Sequence, residues 1–284
     1  MKEVTETQIN RDGSEVTLVV TIPAKQVKEA FARSKAEALK GVKVHGFRPG
    51  KAPKEIAEKH LDEDALAQSL FQELVPPAYA QAVSKEGLKP VIPPEVTVKS
   101  FQKDEKLVFE AKTAERPPVD LGDYLKALRS LKGEVIYGPE GKPLKGEVTA
   151  AQVLDKLREA VKINIPHVLI DYEVKRMLSS LIDQVRSLGI TVDQYLSSQG
   201  KTAEGVRKEY HETAERNLRD EFILSEVAEA EDIKVSEGEI EEAIEATPDE
   251  KAKSFLKEER GRSYLEDTLR RRKTIERLLT VSKK

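Results

Sequence analysis

In SEVTLVVTIP, Val16, Leu18, Val20 and Ile22 fall two residues apart, the period that gathers side chains on one face of a strand. NRDG just before this run is a turn signal, so the expected element is a hairpin joining roughly residues 3–9 to 14–22. From Pro23 and Ala24 the period lengthens: Val27, Ala30, Phe31, Ser34 and Ala38 recur at helical spacing, and the helix must stop near Gly41. After Pro53 a short helix to His60 and a longer one from about Asp62 are predicted. Pro76 and Pro77 remove two backbone donors from the longer helix and predict a kink or a split there. The loop GLKPVIPPE then leads to two more candidate strands, VTVKSF and LVFEAKTA. Strand, strand, helix, loop, helices, strand, strand is the order of an α+β domain with an antiparallel sheet.

This first domain, residues 1–116, ends near the proline-marked ERPPVD. Residues 117–150 read as a linker, with GPEG between apolar pairs suggesting a small hairpin or an ordered connector. From about 149 the pattern is helical almost without relief, over 150–162, 167–187, 191–199, 203–230, 236–245 and 250–279. Residues 151–284 are therefore expected to form an elongated all-α domain. The heptad repeat of a coiled coil is not sustained in it.

Composition agrees with this division. Charged residues make up 35% of the 284, hydrophobic ones 38% and aromatics 5%, a balance suited to a heavily solvated helical protein rather than one built around a deep pocket. The formal charge of −3 conceals an asymmetry, because residues 25–60 hold ten Lys/Arg against four Glu and the rest of the chain is correspondingly acidic. A basic stretch on an acidic body points to docking on something anionic through one end. The chain has no cysteine, which excludes disulfides and thiolate chemistry and suits a reducing compartment. The N-terminal MKEVTETQINRDG lacks an apolar core of the secretory type, and no apolar run approaches 18 residues. The expectation is a cytoplasmic protein with no membrane partner.

Catalytic signals are weak. GFRPGKA approaches a phosphate-binding loop, but its glycines are one residue too close and Ala52 replaces the hydroxyl that would ligate magnesium. The four histidines, at 45, 60, 167 and 211, form no i, i+4 pair, and without cysteine no structural zinc site is available. HLDED and EYHETAE set carboxylates beside a histidine, which solvated faces of charged helices explain. G-x-S-x-G is absent. Expected, then, are no catalytic residues, no metal site and no cofactor.

What remains is VHGFRPGKAPKEI, residues 44–56. Gly46 and Gly50 permit backbone conformations closed to other residues, while Pro49 and Pro53 restrict the chain around them. Such a loop is ordered without being helical, and it can present Phe47, Arg48 and Lys51 to a surface of mixed protein and RNA. The alternative is that Phe47 turns inward as an apolar plug and the cations are ordinary loop charges. In Gly46, Phe47, Arg48, Gly50, Lys51 and Pro53 the segment resembles the G-F-R-x-G-K-x-P tip loop of trigger factor, the bacterial ribosome-associated chaperone family. GLKPVIPPEVTV and its closing strands, and INIPHVLIDYEVKRML as the proline-led start of a long helical arm, extend the resemblance over nearly the whole chain.

The resemblance implies a ribosome-binding N-terminal domain and a C-terminal chaperone domain with helical arms. It implies docking through Gly46, Phe47, Arg48, Pro49, Gly50 and Lys51 on the large ribosomal subunit, against protein and rRNA at the tunnel exit. It further implies that nascent or unfolded polypeptides are held without ATP. Family members can dimerise when free, and the sequence leaves a homodimer open here. Many members carry a second cation directly after the loop arginine, where this chain has Pro49. Trigger factors typically insert an FKBP-like prolyl isomerase domain after the N-terminal domain; residues 119–150 are too few for one, so isomerase activity is expected to be missing. Met177, Leu178, Leu181, Ile182, Phe222, Ile223, Tyr264 and Leu265 are candidate client contacts, with buried helix packing as the rival reading of each, so the substrate-binding residues stay unassigned. Two other functions compete: a ribosome-independent or periplasmic SurA-like holdase, and a helical RNA-binding or scaffold protein using the basic stretch alone.

Overall fold

Strand β1 (Glu6–Asp12) turns through Gly13, at φ 58°, into β2 (Glu15–Ile22), and the two pair antiparallel from Glu6 opposite Thr21 to Asp12 opposite Glu15. The computed structural model describes residues 6–42, 47, 53–101, 105–133, 135–137 and 143–283. The first three residues of the expected hairpin, 3–5, lie outside them. The chain divides into two compact units, Met1–Arg116 with Pro166–Tyr172, and Pro117–Ile165 with Glu173–Lys284.

In the first unit β2 is followed by α1 (Ala24–Gly41), α2 (Lys54–Glu58), α3 (Glu63–Lys85), β3 (Glu95–Ser100) and β4 (Leu107–Ala114). The sheet order is β1-β2-β4-β3, all antiparallel. Alternation in β2 works as expected: Val16, Leu18, Val20 and Ile22 are buried, opposite Thr113, Ala111, Phe109 and Leu107 of β4. Helices α1 and α3 pack on each other and α3 on β2, closing the core with Val27, Ala30, Leu70, Leu74, Ala78 and Ala82.

Helix α3 runs on through Pro76 and Pro77, so of the kink or split expected there the split does not occur. Its buried Leu70 and Leu74 before the pair and Ala78 and Ala82 after it enter one core, so packing on both sides holds the helix together despite the lost donors. Strand β3 is an edge. Val96 and Val98 lie opposite the fully buried Ala111 and Phe109, hence on the core face of the sheet, yet remain 39% and 37% exposed. A β-bulge interrupts the β3–β4 register between Val98 and Ser100, and Lys99 at the bulge pairs with Glu110 at 3.2 Å.

The second unit begins with β5 (Val119–Asp120) and α4 (Tyr124–Arg129), then β6 (Val135–Tyr137) paired with β7 (Pro143–Lys145) as the small hairpin that the sequence suggested. It continues with α5 (Ala150–Ala160), β8 (Lys162–Ile163, paired with β5), α6 (His167–Ser187, its residues up to Tyr172 grouped with the first unit), α7 (Val192–Ser198) and α8 (Ala203–Ala230). Helices α9 (Glu237–Glu245), α10 (Glu250–Lys257) and α11 (Glu259–Ser282) complete the largely helical region. Capping boxes at Thr149/Gln152, Thr191/Gln194 and Ser236/Glu239 start α5, α7 and α9, which is why these boundaries follow the sequence closely. Glu239 accepts from the backbone and hydroxyl of Ser236 and from Lys273 Nζ at 2.8 Å, and these bonds hold its carboxyl down at about 2.

Two features depart from the expected helix list. The expected 250–279 helix is two helices, α10 and α11, broken at the extended Glu258. Gly261 makes the break tight: a Cβ there would collide with the Phe255 carbonyl oxygen and lie 2.7 Å from Leu256 Cα. And α4, within the expected linker, is an integral part of the helical core. Its Tyr124 and Leu128 are buried with Val153 and Leu157 of α5, Ile223 and Val227 of α8, and Leu278 of α11. Tyr124 donates to Glu231 Oε1 at 3.0 Å while Arg277 Nε donates to Oε2 at 3.0 Å. Burial, then the bond to Glu231, pushes the Tyr124 phenol up to about 12.

Candidate functional site

The loop that carries the signature is held at its two ends. Helix α1 stops at Gly41 because Val42 turns to extended backbone at φ −62°, ψ 128°. Pro53, also extended, then starts α2, its carbonyl accepting from Ile56 and Ala57 N–H at 3.0 Å each. Of the predicted site residues Phe47 is described, and it is 44% exposed in a bend, so it is not the inward plug of the alternative reading. Gly46, Arg48, Pro49, Gly50 and Lys51 lie outside the described residues.

The basic stretch is less free than its composition implies. Arg33 Nε donates to Glu73 Oε1 at 3.1 Å, with Ser34 Oγ donating to the other oxygen at 3.4 Å, which ties α1 to α3. Lys35 Nζ lies 3.0 Å from Glu58 Oε1, which ties α1 to α2. These cations hold helices around the loop, while Lys40 in the last turn of α1 and Lys59 just after α2 are exposed. The separations of Arg33–Glu73 and Lys35–Glu58 along the chain leave no local signal from which either pair could be read.

The eight candidate client contacts divide. Leu181 is buried with Val185, Leu196 and Val206, and Ile223 is buried in the core that holds Leu128. Both are packing residues. Met177, Leu178, Phe222 and Leu265 are half-buried, and Ile182 and Tyr264 are 43% and 65% exposed. Sequence reading missed Leu188, at 69%, Ile190, at 39%, and Phe255, at 48%. The first two flank Gly189, whose φ of 71° ends the helical run, so they fall outside its periodic face; that offset was the available signal. On α6 and α8, Glu173, Arg176, Met177, Ser180, Gln184 and Tyr210 line an open cleft of about 470 Å³, in which Arg176 is bonded to Glu173 at 2.7 and 2.8 Å. A mixed, shallow lining of this kind suits weak contact with many sequences better than selection of one ligand.

Among the described residues no group of three or more His, Cys, Asp or Glu is placed to hold a metal ion. Among them also, no helix is long and apolar enough to cross a membrane.

Comparison with known proteins bears on the whole chain. The family model described as bacterial trigger factor protein matches residues 2–137, and the one described as bacterial trigger factor protein C-terminus matches residues 145–280. A trigger factor of Shouchella clausii is 25% identical over 414 aligned positions, covering 94% of this chain and 95% of that protein. An alignment so much longer than 284 residues means that the relative carries a long stretch with no counterpart here. A trigger factor of Staphylococcus saprophyticus is 39% identical over 132 residues, 46% of this chain but 30% of its own length. A solved structure of the trigger factor chaperone, from work on promiscuous substrate recognition in folding and assembly, superposes with a TM-score of 0.63. It covers 97% of this chain and 99% of its own at 16% identity, a likeness of fold. With both family models matched in order along the chain, and the antiparallel sheet and helical region where they fall, the chain belongs to the trigger factor family of ribosome-associated chaperones, in a form without the FKBP-like domain.

Proposed function

We propose that this chain docks beside the tunnel exit of the large ribosomal subunit through Gly46, Phe47, Arg48, Pro49, Gly50 and Lys51, and shields emerging polypeptides without ATP. The observation that carries the proposal is the exposed Phe47, lying within the G-F-R-x-G-K-x-P signature between two anchored helices of the matched N-terminal family region. The ring supplies an apolar contact, and Arg48 and Lys51 supply charge toward rRNA phosphates and acidic protein side chains. Pro49, where many relatives carry a further cation, trades charge for stiffness. In the second unit, Ile182, Leu188, Ile190 and Tyr264 provide dispersed apolar contacts in a charged surround, the surface that weak, reversible holding of unfolded chains requires. The work is proposed to be done in the cytoplasm, where nascent chains emerge.

The test is co-sedimentation with ribosomes across a salt series, with a Phe47→Ala/Arg48→Ala/Lys51→Ala variant alongside the wild type. Binding should weaken as salt rises and be lost in the triple variant while its circular dichroism stays unchanged. A triple variant that still pellets with ribosomes overturns the assignment. Because no isomerase domain stands between the two matched regions, a tetrapeptide prolyl isomerase assay should give the background rate; clear catalysis would refute this part of the reading.

A further inference from the structure

We infer that the free edge of β1 takes up an extended polypeptide segment of one chemistry: seven residues matching its length, apolar at alternate positions and cationic at both ends. The inference rests on the reading that the chain holds unfolded polypeptides, and adds to it a place and a selectivity. The four-stranded sheet has two edges, and they are built differently. β3 is interrupted by its bulge, whereas β1 keeps one unbroken register with β2 from Glu6 to Asp12 and contains neither lysine nor proline. Among the described residues no strand pairs with the outer side of β1. Its one cation, Arg11, is engaged by Glu115 at 2.8 Å. The edge therefore offers a regular row of backbone donors and acceptors, the template on which an extended chain adds as a further strand.

The two faces of β1 set the pattern of that chain. Thr7, Ile9 and Arg11 lie opposite the buried Val20, Leu18 and Val16, hence on the core face, where Ile9 is half-buried against the core. Glu6, Gln8, Asn10 and Asp12 lie on the other face. An added strand inherits the alternation, with apolar side chains beside Ile9 and its neighbours on the core face and polar ones between. Charge settles the ends. Asp12 stands directly opposite Glu15, like against like, and neither of them nor Glu6 has an ion-pair partner among the described residues. A lysine or arginine beside Asp12 and another beside Glu6 supply the missing partners. A second copy of the chain fits less well. Pairing two β1 edges antiparallel about Ile9, with both core faces on one side, sets Glu6 of each copy against Asp12 of the other.

The experiment measures binding of the fluorescently labelled peptide Lys-Val-Thr-Val-Thr-Val-Lys to the full chain by anisotropy, against the same peptide ended by glutamates. Exposed cross-strand ion pairs count for up to about threefold each, so the glutamate ends should cost about tenfold. Glu6→Lys/Asp12→Lys should reverse the preference, with thermal melts as a check on folding. Two further lysine-ended peptides carry N-methyl groups on alternate residues, one set on the odd positions and one on the even. A strand turns only alternate residues toward its neighbour, so one should bind like the parent and the other about tenfold more weakly or less. Hydrogen exchange should show protection by peptide in β1 and none in β3. Overturning results are equal binding of both charge forms, equal behaviour of the two methylated peptides, or protection elsewhere than in β1. Protection of β1 that rises with protein concentration without peptide assigns the edge to a second copy and also overturns the inference. Suppression of aggregation of a chemically denatured protein is followed in parallel. If the wild type does not suppress it, the holding reading fails and this inference with it; if it does while the peptide results go against β1, this inference alone fails.

Discussion

Leu128→Ala tests whether α4 belongs to the helical core or merely connects. Leu128 is 0% exposed and lies in a core to which α5, α8 and α11 all contribute. The substitution removes three carbons, which at about 0.8 kcal/mol for each buried methylene amounts to about 2.4 kcal/mol. A surround formed by three longer helices cannot collapse fully into the space, so a cavity contribution raises the expected loss to about 3–4 kcal/mol. A six-residue helix has no stability of its own with which to absorb the change. For a unit of this size, each kcal/mol corresponds to roughly 2–4 °C in melting temperature, so the far-UV transition should fall by roughly 6–16 °C. Urea unfolding followed at 222 nm measures the free energy directly, with the exposed Lys126→Ala as the control for changes in helix propensity. A loss below about 1 kcal/mol would refute the packing argument and return residues 117–131 to the status of a connector.

Other consequences can be checked in the same way. Gly261→Ala drives a methyl into the Phe255–Leu256 backbone, so α10 and α11 must part and Leu256 must leave Ile240, Ile244 and Leu269; a loss of about 2–3 kcal/mol is expected by chemical denaturation. Glu239, with its carboxyl held at about 2, stabilises the fold fully above its ordinary value of 4.5, and that contribution disappears as pH falls from 4.5 through 2. Glu239→Gln should therefore flatten the acid limb of the stability profile over this window, and carboxyl titration followed by NMR should find the wild-type group still ionised at pH 3.

The sequence revealed most where one local rule governed a whole element. Two-residue alternation defined β2 and helical spacing defined α1, and the helical pattern also placed the starts of α5, α7 and α9, where the structure shows capping boxes. It misled where distant packing overrode the local rule. Pro76 and Pro77 are tolerated because the core grips α3 on both sides of them, and Gly261 permits a sharp break inside a stretch whose apolar spacing reads as continuous helix. Helix α4 and the β5–β8 pair are too short to leave a periodic signal and exist through partners some twenty-five residues or more away in the chain. The candidate site divides in the same manner. The signature around Phe47 was legible from residue types and spacing, whereas the engagement of Arg33 with Glu73 and of Lys35 with Glu58 depends on how α1, α2 and α3 come together.

The edge strand β3 bears on how a chaperone remains separate from what it handles. An exposed edge offers backbone donors and acceptors to any extended chain, and a grip made of such bonds strengthens with each added residue until release becomes slow. Here only Glu95–Val98 keep an unbroken register before the bulge, and Lys99 sets a desolvation penalty at the point where a longer ladder would have to continue. Val96 and Val98 are thus exposed on a strand whose bulge and lysine blunt its edge as a template for pairing with another chain.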